Sequence, residues 1–85
     1  MTVKEMAERY IEKMSRALED IEITGCASPD PGRVDEVIDE AKRYFEDAKY
    51  YLDRGHFETS LASIAYSEGL LDALRILGLV KFEWG

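Results

Sequence analysis

Cysteine and histidine are almost missing from this chain. Cys26 stands alone, so it cannot form an intramolecular disulfide, and one thiol falls far short of a zinc ligand set. No sign of an oxidising compartment follows from it. His56 is the single histidine. Long apolar runs are absent too. No stretch approaches the roughly 20 residues of a membrane span, and Met1-Thr2-Val3-Lys4-Glu5 lacks the apolar run of a signal peptide. The cytoplasm is the expected location, with no membrane partner. Positive charge is short as well: 11 Lys and Arg face 18 Asp and Glu, for a net charge of −7. Nucleic-acid binding relies on clustered cations that displace counterions. Here the cations are scattered along the sequence, so nucleic acid is not an expected partner.

What is present has a globular balance, 46% hydrophobic and 34% charged. The 85 residues make one domain, 1–85. That length is near the lower limit for folding without disulfides or metal, so the core must be efficient or a second subunit must help.

Periodicity divides the chain into three helices, at about 2–24, 31–54 and 57–77. Thr2 and Glu5 form a capping box at the start of the first. Its apolar positions Val3, Met6, Ala7, Tyr10, Ile11, Met14, Ala17, Leu18 and Ile21 fill an arc of roughly 140°, and Gly25 is a natural stop. Cys26-Ala27-Ser28-Pro29-Asp30-Pro31-Gly32 is turn chemistry, with Asp30 and Pro31 suited to a helix N-cap and first position. The second helix carries Val34, Val37, Ile38, Ala41, Tyr44, Phe45, Ala48, Tyr51 and Leu52 on one face and ends at Gly55.

The third helix differs in kind. Ala62, Tyr66, Gly69 and Ala73 make a narrow stripe of mostly small residues, and Leu70, Leu71, Leu74, Ile64 and Phe57 continue around it. The apolar or small arc reaches roughly 260°, wider than one buried face needs. Either the apolar tail Leu79-Val80-Lys81-Phe82-Glu83-Trp84-Gly85 covers the excess, or another chain does. The small residues predict close helix approach, and Gly69 in mid-helix predicts a packing reason. The short Gly55-His56 connection forces an antiparallel αα-hairpin. The fold class is therefore all-α: a three-helix up-and-down antiparallel bundle with a short apolar C-terminal tail.

No polar cluster carries recognisable chemistry. His56 sits in the inter-helix turn without the orienting partner that a general base needs. Cys26 has no neighbouring cation in sequence to lower its pKa. Asp35, Glu36, Asp39 and Glu40 have i,i+4 spacing but lack the Glu-x-x-His motif of di-iron bundles, and read as a solvated face. Glu68, Asp72 and Arg75 share one slice of the third helix and would suit a recognition edge. Tyr10, Tyr44, Tyr51 and Tyr66 fall on inward arcs. Tyr50 and Trp84 are the aromatics placed for exposure, although a tail tryptophan can also tuck into the bundle.

The second half carries a recognisable pattern. Tyr44-Phe45-Glu46-Asp47-Ala48-Lys49-Tyr50-Tyr51-Leu52, Gly55-His56-Phe57, Ala62, Ala65-Tyr66-Ser67-Glu68-Gly69-Leu70-Leu71-Asp72-Ala73-Leu74 and Leu77-Gly78 resemble the archaeal Domain of Unknown Function 357 family. The resemblance covers roughly Val34 to Gly78. It implies a short up-and-down helical bundle of archaeal cytoplasmic origin, and no activity. The hairpin is also similar to one tetratricopeptide unit, but the full repeat signature is missing and Ser60 stands where alanine is usual. It is similar, too, to the nucleotide-binding helical domains of prokaryotic toxin–antitoxin systems. Their nuclease versions carry Arg and then His at a fixed distance on a late helix, and Arg54 and His56 are misplaced and too close for that.

The expectation is a non-enzymatic interaction or self-association module with no cofactor and no metal. Its partner would be an unidentified protein or a second copy. Tyr50, Phe82 and Trp84 would anchor, and Glu68, Asp72 and Arg75 would set orientation. The alternative is a small-ligand or nucleotide-binding bundle that assists an enzyme, with a polar pocket around Tyr44, Tyr66 and His56.

Overall fold

The computed structural model describes residues 1–24 and 30–84. Their elements are α1 (Val3–Asp20), β1 (Glu22–Ile23), α2 (Pro31–Asp53), α3 (Phe57–Ile76) and β2 (Val80–Lys81). The fold is an all-α three-helix bundle, with one short strand pair.

α1 opens on its capping box. The Glu5 backbone N–H donates to the Thr2 hydroxyl, and the Thr2 N–H donates to Glu5 Oε1, both at 3.1 Å. Two of the helix's free donors are thereby satisfied. The expected continuation to residue 24 is corrected: α1 stops at Asp20, and Ile21 is extended, with φ −63° and ψ 131°. The cause is the returning tail. Glu22 pairs with Lys81 and Ile23 with Val80 in antiparallel register. Thr24 donates its N–H to the Leu79 carbonyl and its hydroxyl to the Gly78 carbonyl, at 3.2 and 2.9 Å. The β-branched Ile21, Ile23 and Thr24 suit extended backbone better than a last helical turn. Gly25 and Cys26 lie outside the described residues.

α2 begins where the sequence places it. Asp30 Oδ1 accepts the Gly32 N–H at 3.1 Å, and Pro31 occupies the first turn. After α2 the chain reverses through Gly55 at φ 79°, in the left-handed region. The His56 N–H donates to the Tyr51 carbonyl at 2.9 Å. α3 then runs back along α2. The Ser60 hydroxyl donates to the Ala48 carbonyl at 2.7 Å, and the Ser67 hydroxyl to the Ala41 carbonyl at 2.6 Å. α1 and α3 point the same way. Lys4 lies over the Phe57 ring near their starts, and Thr24 reaches Gly78 beyond their ends. The order is up, down, up.

The core is built from Ile11, Met14 and Ala17 of α1, Val34, Ile38, Ala41, Phe45 and Ala48 of α2, and Ile64, Leu71 and Leu74 of α3, with Val80 of the tail. Three expectations for α3 are corrected. The close approach to α2 is made by Ser60 and Ser67 opposite Ala48 and Ala41, all fully buried, and not by the stripe of Ala62, Tyr66, Gly69 and Ala73. That stripe faces outward. A Cβ added at Gly69 would meet nothing within 4 Å, so no packing within the single chain requires that glycine. Tyr66, placed on the inward arc by sequence, is 53% exposed. A serine whose hydroxyl finds a helix carbonyl buries as readily as alanine, so apolar counting rotated the helix away from its true face.

The tail does fold back. Leu79, Phe82 and Trp84 pack against the core around Val80. It covers the flank between α1 and α3 and leaves the outward side of α3 bare. Ile76 is 71% and Leu77 70% exposed there.

Candidate functional site

The tail and the polar slice of α3 form one cluster. The Trp84 indole N–H donates to Asp72 Oδ1 at 3.2 Å. The same oxygen accepts from Arg75 Nε at 2.9 Å and lies 2.7 Å from Arg75 Nη2. These contacts, the Arg75 hydrogen bond first and the Trp84 N–H second, hold the Asp72 carboxyl below the usual aspartate value. Phe82 meets Trp84 edge to face with centroids 4.6 Å apart. Lys13 of α1 completes the group. Its Nζ lies 4.7 Å from the Trp84 centroid, 5.7 Å from that of Tyr10 and 3.4 Å from Glu68 Oε1.

Glu68, Asp72, Arg75, Phe82 and Trp84 are therefore brought together. Both tail aromatics are partly buried against their own chain. Tyr50 stands apart near the end of α2, 51% exposed, with the Arg54 guanidinium 4.4 Å from its ring centre and Tyr51 at its edge. His56 is exposed and stacks on Tyr51 at 6.1 Å, while Tyr44 and Tyr66 meet each other at 4.5 Å. Asp35, Glu36, Asp39 and Glu40 are exposed. Glu36 pairs with Arg33 at 3.1 Å, and Glu40 with Arg43 at 2.9 Å. Among the described residues no three His, Cys, Asp or Glu side chains are grouped to hold a metal ion, and no helix is long and apolar enough to cross a membrane.

Trp84 borders two clefts. The larger, about 690 Å³, is lined by acids and bases together: Asp20, Glu22 and Glu83 with Arg75 and Lys81. The smaller, about 390 Å³, is lined by Arg9, Lys13 and Arg16 of α1, with Tyr10, Met1, Met6 and Trp84. Reading Lys and Arg as scattered missed this grouping. The signal was there, because Arg9, Lys13 and Arg16 have the i, i+4, i+7 spacing of one helix face.

A family model described as "Protein of unknown function (DUF357)" matches residues 9–80. The chain belongs to this family. The DUF357 match runs from α1 to the first residue of β2, so it takes in all of α2 and α3. Function is unknown for the family as a whole. No curated protein and no solved structure matched the chain.

Proposed function

We propose that this DUF357 chain is a non-enzymatic self-association module that pairs with a second copy of itself through the outward face of α3. The observation that carries this reading is the exposed row Thr59, Ala62, Tyr66, Gly69, Ala73 and Ile76. Its alternating three- and four-residue spacing is that of a helix–helix seam, and it holds no charged side chain. Over most of the remaining surface two copies bearing −7 each would oppose like charges, which disfavours contact. The row is also self-complementary. An antiparallel pair with its twofold axis level with Ser67 and Glu68 sets each Tyr66 against the second copy's Gly69, and each Ala62 against the second copy's Ala73. An aromatic ring opposite a residue without a side chain allows close approach, and one patch serves both partners, as a twofold contact requires. Tyr66, Ile76 and Leu77, all more than half exposed in the single chain, would lose apolar area to the contact.

Light scattering on the eluting full chain tests this. The expected mass is twice the chain's 9.7 kDa, returning to a single chain in Tyr66→Glu with the helical circular dichroism unchanged. A single-chain mass at every concentration up to about 1 mM, the limit of a weak complex, would sink the reading. So would a Tyr66→Glu variant that still dimerises, because the contact would then lie elsewhere.

A further inference from the structure

Trp84 also forms one wall of the 390 Å³ cleft against α1, and that cleft is chemically unlike the rest of the surface. Acids outnumber bases 18 to 11 in the chain. Yet the cleft is lined by Arg9, Lys13 and Arg16, and by no carboxylate among the described residues. Its volume falls within the range of small-molecule sites. The remaining walls are mostly aromatic and thioether surface from Tyr10, Trp84 and Met6.

Two of the three cations are little used by the fold. Arg9 is exposed and has no ion pair or hydrogen bond among the described residues. Among the described residues Arg16 is paired with Glu12 alone, at 3.8 Å with both side chains more than half exposed, a contact of little worth in water. Lys13 is held in place: the rings of Trp84 and Tyr10 flank its ammonium, and Glu68 lies 3.4 Å away. At one cleft, an ordered lysine, an arginine with a free fork and a second arginine held only by a weak surface pair offer the charge and hydrogen-bond donors that a phosphate needs.

We propose that this cleft between α1 and the C-terminal tail binds a small phosphate-bearing molecule. Arg9 and Arg16 grip the phosphate oxygens from the open side, and Lys13 meets them from the wall. Any flat body attached to the phosphate lies along the Trp84 and Tyr10 side. A long polyanion such as nucleic acid is disfavoured, because the surrounding surface repels it. A small dianion held in the cleft escapes most of that field through screening. The site is separate from the outward face of α3, so its existence does not depend on self-association.

Trp84 is the only tryptophan, so its fluorescence reports on the cleft directly, and calorimetry gives an independent reading. The full chain is titrated at constant ionic strength with inorganic phosphate, adenosine monophosphate and adenosine. Saturable binding of the phosphate compounds, with none for adenosine, is expected. Adenosine monophosphate binding more tightly than inorganic phosphate would identify an organic phosphate as the ligand type, and equal binding would identify free phosphate. Arg9→Ala should weaken either by about tenfold, the worth of one hydrogen bond to a charged group. Its unliganded melting temperature should not change, because Arg9 holds nothing in the fold. No saturable binding of either phosphate compound overturns the proposal. Binding of adenosine as tight as its monophosphate overturns it too, as does binding that survives unchanged in an Arg9→Ala/Arg16→Ala variant.

Discussion

The Ser67 hydroxyl donates to the Ala41 carbonyl across 2.6 Å with both residues fully buried. It does for the lower part of the α2–α3 seam what Ser60 does for the upper. Ala41 lies inside α2, so its carbonyl keeps its helical partner if the hydroxyl is removed. Ser67→Ala should therefore cost only about 1 kcal/mol, one neutral hydrogen bond. Ser67→Leu should cost more, because added methylenes in a packed seam force the helices apart, at about 1–3 kcal/mol. Urea unfolding of the two variants checks the order. A leucine no worse than alanine would mean the seam is not tightly packed.

Thr2 begins the chain's order in the same economical way, with one side chain and one backbone group each closing a bond to Glu5. Thr2→Ala should destabilise the fold by about 1 kcal/mol, the usual worth of an N-cap. Hydrogen exchange should show the loss concentrated in the first turn of α1. Uniform loosening of the whole bundle would contradict a local cap.

Much of the fold was legible because local rules agreed. The capping box at Thr2, the Asp30–Pro31 start and the Gly55 reversal each involve residues whose backbone preferences leave few choices. The end of α1 was not legible, since Ile21 to Thr24 are drawn into extended backbone by a tail 57 residues further along, Val80 opposite Ile23. The facing of α3 was misjudged because buried serine is polar by any scale, while Tyr66 and Ile76 are apolar and exposed. The tail cluster was half readable. Asp72, Arg75 and Glu68 share a helix slice, but their meeting with Trp84 and Lys13 depends on tertiary path alone.

Asp72 gives the cluster a pH signature. Arg75 and Trp84 favour the ionised carboxyl and lower its folded pKa from the ordinary 3.8. A carboxyl with a depressed folded value contributes stability that is present above the unfolded pKa and lost as pH falls through the folded one. Asp72→Asn removes that charge at every pH. The melting temperature of the native chain should therefore exceed that of the variant at pH 7, and the gap should close below about pH 3.8. Other carboxylates titrate in both proteins and cancel in the difference. A gap that stays constant down to the lowest pH would mean that Asp72 acts through packing alone.

Gly55 and Gly69 should respond in opposite directions to the same change. Gly55 sits at φ 79°, where an L side chain costs about 1–2 kcal/mol, so Gly55→Ala should destabilise the hairpin even though a Cβ there would touch nothing. Gly69 is exposed within α3 and a Cβ there meets nothing within 4 Å either. Gly69→Ala should stabilise the single chain by about 1 kcal/mol through helix propensity. If two copies pair through this face, the added methyl fills the notch that receives the second copy's Tyr66. The substitution would then raise the stability of each folded chain while weakening the dimer. Unfolding measured at low concentration, set beside mass measured at high concentration, separates the two effects. A Gly69→Ala chain that is more stable and dimerises as before would keep the helix argument and remove Gly69 from the contact.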